Sequence, residues 1–299
     1  MVNRWTIPLT LVVALLGSFS ARAGWFDSAP EAQPATSDDV VAQIQREIDD
    51  QQYLDANKLL EQALLNDADN PKLVLLAGDL SLANGHYDVA LANFRSIDSK
   101  PEQRARALEG EGIALSLLGK SDAALAALKA AVKENPSAWH AWNALGSEYD
   151  RRHDWTNAED AYGHAIAIPE ATAIVLNNRG FSRLCQNRLD QAVTDFVAAL
   201  AKKPDFTAAR NNLRLAIGMK GDYKRAMEGA DPADRAQILN NVGVAALMRG
   251  DYQAAEDFFD QAIKARGSYY SFAASNLQAA TSLESGKSGK PGNANADLH

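Results

Sequence analysis

Alanine recurs at Ala56, Ala90, Ala124, Ala158, Ala192 and Ala226, each 34 residues after the last, and glycine keeps the same period at Gly78, Gly112, Gly146 and Gly180. A fixed period of this length marks a small unit that cannot bury its apolar face alone, so successive copies must stack on one another. The chain is therefore constrained to a linear array before any single element is assigned.

Counting each unit from 1, the glycines fall at position 8 and the alanines at position 20, twelve residues on. Small residues at both places fit a pair of antiparallel helices whose backbones approach closely where they cross. Position 24 carries a large apolar residue (Leu60, Phe94, Leu128, Tyr162, Phe196), expected to fill the layer beside that crossing. Gly85, Gly119, Gly221 and Gly250 supply turns between the two helices, and Pro136, Pro169 and Pro204 stop the second. Repeats are expected to begin near residues 37, 71, 105, 139, 173 and 207. The next small pair, Gly243 and Ala255, sets a start at 236, so five residues are missing from the second helix of the 207 unit, where Gly229 and Pro232 end it early. The first unit is atypical, with Ile44 at position 8, and a last helix over 270–283 is expected to cap the array.

The unit "AWNALGSEYDRRHDWTNAEDAYGHAIAIPE" places Trp142, Leu145, Gly146 and Tyr149 in a W-x2-L-G-x2-Y arrangement, with Ala158, Tyr162 and Ala165 at the offsets that follow. By these residues the chain resembles the tetratricopeptide repeat superfamily over 37–284. That resemblance implies an all-α, right-handed superhelix of six to seven helix-turn-helix repeats with a C-terminal capping helix. It also implies a non-catalytic scaffold that holds a protein or peptide partner in a concave groove lined by the first helix of each repeat.

Outside the array the sequence reads differently. Arg4, the apolar run Ile7 to Leu16, and Ala21-Arg22-Ala23 form an export signal, expected to be cleaved after Ala23 or else retained as an anchor. Residues 24–36 read as a disordered linker and 285–299 as a disordered tail, because neither has the apolar residues to offset the entropy of ordering. The full chain has a net charge of −8, and losing Arg4 and Arg22 with the signal takes it to −10. Such a surface repels nucleic acid and anionic membranes. A soluble periplasmic protein without a membrane span is expected. Cys185 is the only cysteine, so no intramolecular disulfide forms. No phosphate-binding loop, nucleophile with a base, or metal-ligand spacing stands out. No catalytic residue, metal or cofactor is assigned.

Paired asparagines interrupt the helices: Asn177-Asn178, Asn211-Asn212 and Asn240-Asn241 take positions 5 and 6, with Asn143 and Asn276 extending the row. In a helix interior each Asn costs up to roughly 0.7 kcal/mol relative to Ala, so something must compensate. One reading is a ligand: an amide both donates and accepts, matching the backbone of an extended chain. Helices roughly 8–10 Å apart would meet such a chain, rising about 3.3 Å per residue, at every third residue. The other is that the amides bond neighbouring helices.

Beside them the expected groove lining changes from Lys72, Asp79, Arg106 and Glu109 to Phe181, Leu184, Cys185, Leu215, Met219, Val244, Leu247 and Met248. An apolar, partly methionine-rich strip suits an adaptable peptide site, or is covered by the C-terminal helix or a second copy in a homodimer. The candidate peptide-binding set is Asn143, Asn177, Asn178, Phe181, Asn211, Asn212, Leu215, Met219, Asn240, Asn241, Val244 and Met248. Arg214 stands at position 8, where small residues belong, and is expected either to reach a ligand carboxylate or to pair locally with Glu228. Trp139, Trp142 and Trp155 are expected to pack within and between repeats.

A narrower resemblance lies in "RNNLRLAIGMKGDY", "LNNVGVAALMRGDY" and "SNLQAA" around the shortened unit. These are similar to the exported repeat protein of the tight-adherence (Flp) pilus assembly system. That resemblance implies secretin or pilus-assembly components as partners, and the missing N-terminal cysteine departs from its lipoprotein members.

Overall fold

The computed structural model describes residues 37–97, 101–229, 232–266 and 270–288; the export signal, the whole linker and residues 289–299 of the tail expected from the sequence lie outside them. Every element is helical, and they run as consecutive hairpins. The pairs are α1 (Ser37–Asp49) with α2 (Tyr53–Asn66), α3 (Pro71–Ala83) with α4 (Tyr87–Arg95), and α5 (Pro101–Leu117) with α6 (Ser121–Glu134). Then come α7 (Trp139–Arg151) with α8 (Trp155–Ala167), and α9 (Ala173–Cys185) with α10 (Leu189–Lys202). Last are α11 (Thr207–Met219) with the single-turn α12 (Tyr223–Met227), α13 (Arg235–Arg249) with α14 (Tyr252–Arg266), and a lone α15 (Ser271–Ser288). Each helix packs on its hairpin partner and on the next hairpin, which is a solenoid.

Two ends differ from the sequence reading. α5 starts at Pro101 rather than near 105, since proline is well suited to a first helical position. α15 runs to Ser288, five residues past the helix's own last apolar residue, Leu283.

The hairpin turn is made the same way each time. Position 15 adopts positive φ in all seven hairpins, at Gln51, Gly85, Gly119, His153, Asn187, Gly221 and Gly250. Four are the glycines expected from the sequence. Gln51, His153 and Asn187 accept the left-handed conformation without glycine's freedom, held by the same backbone bonds, such as Asp154 N–H to Tyr149 O at 2.9 Å.

The core corrects one expectation about the small residues. Position 20 is sealed, with Ala56, Ala90, Ala124, Ala158, Ala192 and Ala226 all fully buried. The position 8 glycines, however, make room for the position 24 side chain more than for bare backbone. A Cβ on Gly78 would lie 2.5 Å from the Phe94 ring, on Gly146 2.8 Å from Tyr162, on Gly180 2.7 Å from Phe196 and on Gly243 2.6 Å from Phe259. Position 8 must be empty because position 24 is large.

That coupling explains Arg214. In the 207 unit α12 stops at Met227, before position 24 is reached, so no ring needs the space. The Arg214 guanidinium enters it and donates to the carbonyl oxygens of Glu228 at 3.3 Å and Gly229 at 3.1 Å, just past the end of the truncated helix. The sequence suggested the Glu228 carboxylate; the partners are main-chain acceptors, since unsatisfied carbonyls collect where a helix ends. Arg214→Ala should cost about 1 kcal/mol in urea unfolding, the worth of a modest hydrogen-bonded cap, with no change of fold by circular dichroism.

Candidate functional site

The asparagines bond one another across the seams between repeats. Asn178 donates to the side-chain oxygen of Asn143 at 3.0 Å, Asn212 to Asn177 at 2.9 Å, and Asn276 to Asn240 at 3.0 Å. In each case position 6 of one repeat gives its N–H to position 5 of the repeat before. Asn177 and Asn240 are nearly buried, at 8% and 9% exposure, so these bonds compensate the helix-propensity cost that the residues bring. The ladder is thus a stacking device first. Each engaged amide has further donor and acceptor capacity, since the group offers two N–H bonds and two lone pairs.

One rung is open. By register Asn241 should serve Asn211, but the five missing residues shift α13, and Asn211 finds no side-chain hydrogen bond among the described residues. α13 nests directly on α11 instead, so closely that a Cβ on Gly218 would lie 2.7 Å from that of Ala245. Asn241 accepts only a long bond from its own neighbour Asn240, at 3.5 Å. Half-buried and unpaired, Asn211 has its whole amide available.

The apolar strip divides. Phe181 and Met248 are each 38% exposed, large for apolar side chains on an inward-turned helix. Leu215 and Met219 are half-buried against Leu184 and Phe196, and Val244 rests on the cluster of Ala246, Phe259 and Ala280 with Leu277 of α15 beside it. Leu184, expected to line the groove, is 2% exposed and belongs to the core, because it turns toward Ala192 and Phe196 of the partner helix. Cys185 is open to solvent, yet its surroundings push the thiol up to about 11, by burial first and then by the charge of Asp150. That direction favours the thiol over the thiolate at neutral pH.

Polar networks that sequence reasoning missed brace the region from behind. Asp150 accepts from Ser182 Oγ at 2.6 Å and from the Tyr162 hydroxyl at 2.8 Å, and burial raises its carboxyl above the ordinary value. Asp195, 2% exposed, takes both Arg179, at 2.9 and 2.7 Å, and Arg183, at 2.8 Å. Arg183 also holds Glu159 of α8, which Arg188 meets at 3.1 Å. Arg179 and Arg183 were visible as cations in the sequence, but their partners lie on other helices. Trp139 and Trp142 pack against the core of their repeat as expected and also stack on His140 and His164, ring centroids 3.5 and 4.4 Å apart, whereas Trp155 is half-buried and meets His153 edge-on at 5.1 Å.

Toward the N-terminal end the lining is charged. Arg106 Nη2 donates to Asp79 at 2.5 Å, while Lys72 pairs with Asp38 at 2.7 Å on the exposed side. Among the described residues no group of three or more His, Cys, Asp or Glu side chains is placed to hold a metal ion, and no helix is long and apolar enough to cross a membrane. What the arrangement offers is surface: amides, apolar side chains and charges in succession along one face.

Three solved structures share this architecture. A thermophilic TPR protein of Thermus thermophilus, TTC0263, aligns with 61% of this chain and 99% of its own, at 21% identity and a TM-score of 0.57. A tetratricopeptide repeat protein of Parabacteroides merdae aligns with 82% of this chain and 98% of its own, at 17% identity and a TM-score of 0.51. The APC/C hetero-tetramer Cut9-Hcn1 matches over 81% of this chain and 49% of the other, at 14% identity and a TM-score of 0.63. At these identities the likeness concerns the fold alone. No curated relative matches the sequence. The family model for the tetratricopeptide repeat matches residues 41–107, 109–171 and 222–270, more than half of the sequence, and the chain belongs to that family.

Proposed function

We infer that this protein is a non-catalytic adaptor, exported to the periplasm, that binds an extended segment of a partner protein along the inner face of α9, α11 and α13. As a tetratricopeptide repeat protein it is a protein-interaction scaffold. The observation that carries the location is the open rung: among the described residues Asn211 is the ladder amide without a side-chain partner, and exposed Phe181 and Met248 lie on the flanking A helices. A main chain laid there would find a donor and acceptor beside apolar anchors, the combination that ligand sites use. The export pattern of residues 1–23 and the C-terminal similarity to the tight-adherence repeat protein support a place in secretin or pilus assembly.

Panning a library of random twelve-residue peptides displayed on phage tests the site. Combining Asn211→Ala with Met248→Lys should lower peptide recovery about tenfold, the equivalent of roughly 1.4 kcal/mol, while thermal unfolding moves by no more than about 0.5 kcal/mol. Asn177→Ala should do the reverse, costing roughly 1–3 kcal/mol of stability because it removes the ladder bond from Asn212 and the long bond to its own neighbour Asn178, leaving a half-buried donor unpaired. Equal recovery by the double variant would remove the groove from the account. In cells that make the protein, crosslinks from this face to secretin or pilus-assembly subunits support the pathway; crosslinks only between copies of this chain would replace it with a self-associating envelope scaffold.

A further inference from the structure

The ladder has a second incomplete rung at the other end of the groove, and its chemistry is different. Position 5 of the 105 unit is Glu109, in the row that continues as Asn143 and Asn177. In those two rungs the helix that follows supplies an asparagine N–H from 35 residues downstream. Thirty-five residues after Glu109 stands Ala144, which has no donor to give. α5 packs on α7 as α7 packs on α9, so the vacancy follows from the residue and not from the stacking.

Glu109 is consequently a carboxylate on the groove floor with its side chain 91% buried and no hydrogen bond among the described residues. The nearest cation, Arg106 Nη1, stands off at 3.8 Å, too far to donate, and that nitrogen is itself buried without an acceptor. Arg106 is already committed to Asp79 through its other nitrogen. Two carboxylates thus share one guanidinium, leaving an excess negative charge in a setting where burial raises both carboxyls above their ordinary values. A buried charge in this condition is costly unless a partner arrives.

We propose that Glu109, opposite Ala144 where the ladder supplies no donor, receives a basic group of the bound segment: a lysine or arginine side chain, or a free amino terminus. This rests on the groove-binding reading above and adds its register. A segment lying from α5 to α13 would present a cation at Glu109 and apolar side chains near Phe181 and Met248, an order fixed by the groove.

The same twelve-residue phage library tests it, panned against the wild-type chain, Glu109→Gln and Ala144→Asn. Glu109→Gln is nearly isosteric, and Ala144→Asn restores the missing donor from within; circular dichroism checks both folds. Peptides recovered by the wild type should share one enriched lysine or arginine position, or bind as synthetic peptides only with an unblocked amino terminus. Both variants should lose that preference, with about a tenfold loss of affinity for the selected peptide. Replacing the basic residue by norleucine, or acetylating the terminus, separates the two sources. Peptides recovered without a basic preference, or with one that both variants keep, would overturn the assignment while leaving the groove intact. Failure to recover any peptide would overturn the parent reading and this one together.

Discussion

Replacing Asp195 with alanine costs about 3–5 kcal/mol of folding stability, the range found when one partner of a buried ion pair is removed. The carboxylate is 2% exposed and faces two guanidiniums, with Arg179 in a two-point contact at 2.9 and 2.7 Å and Arg183 at 2.8 Å. Arg183 retains Glu159 when Asp195 is lost, whereas Arg179 has no other hydrogen-bond or ion-pair partner among the described residues. The penalty is therefore mainly one orphaned, largely buried cation. Adding Arg179→Met to Asp195→Ala should recover most of the loss, because the pair is a liability only when half of it is present. Urea unfolding with an unchanged slope is the measurement, and a loss below about 1 kcal/mol would mean that Arg179 swings into water. The network joins α8, α9 and α10, so it holds adjacent hairpins at one angle, and the curvature of the inner face depends on that angle.

The second large effect lies in the pairing of positions 8 and 24. Phe196→Ala removes a fully buried ring and should cost about 3–5 kcal/mol. Gly180→Ala alone adds a methyl that would sit 2.7 Å from that same ring, and should cost about 1–3 kcal/mol by overpacking. The two changes are not additive: once the ring is gone the methyl fills part of its space, so the double variant should be more stable than the sum of the singles predicts, by roughly 1–2 kcal/mol. Additive losses would show that the glycine is there for backbone approach after all. Arg214 is the natural counterpart of this experiment, since the repeat that lost its position 24 side chain also lost the need for glycine.

The periodic residues announced most of the fold. Ala56 through Ala226 and Gly78 through Gly180 define the helix crossings because close packing forbids larger side chains there, and that is a local, repeated requirement written once per unit. The hairpin turns were half legible: four glycines mark positive φ, while Gln51, His153 and Asn187 adopt it under the pull of bonds that the flanking helices impose. The asparagines were visible as a row, yet their partners were not. Whether an amide at position 5 meets a donor depends on the residue 35 places on, and on whether the intervening hairpin has its full length.

Sequence by itself determined that this chain stacks helical hairpins, and which residue in each must be small. Tertiary structure alone decided which ladder amides are used up between repeats and which remain, at Asn211, and where a carboxylate, Glu109, is left without a donor. The reason is range. Helix formation and hairpin closure are settled within one repeat, whereas a hydrogen bond across a seam requires two side chains from different repeats to arrive within about 3 Å. A five-residue deletion in α12 or a single alanine at position 144 changes that arrival without disturbing the period.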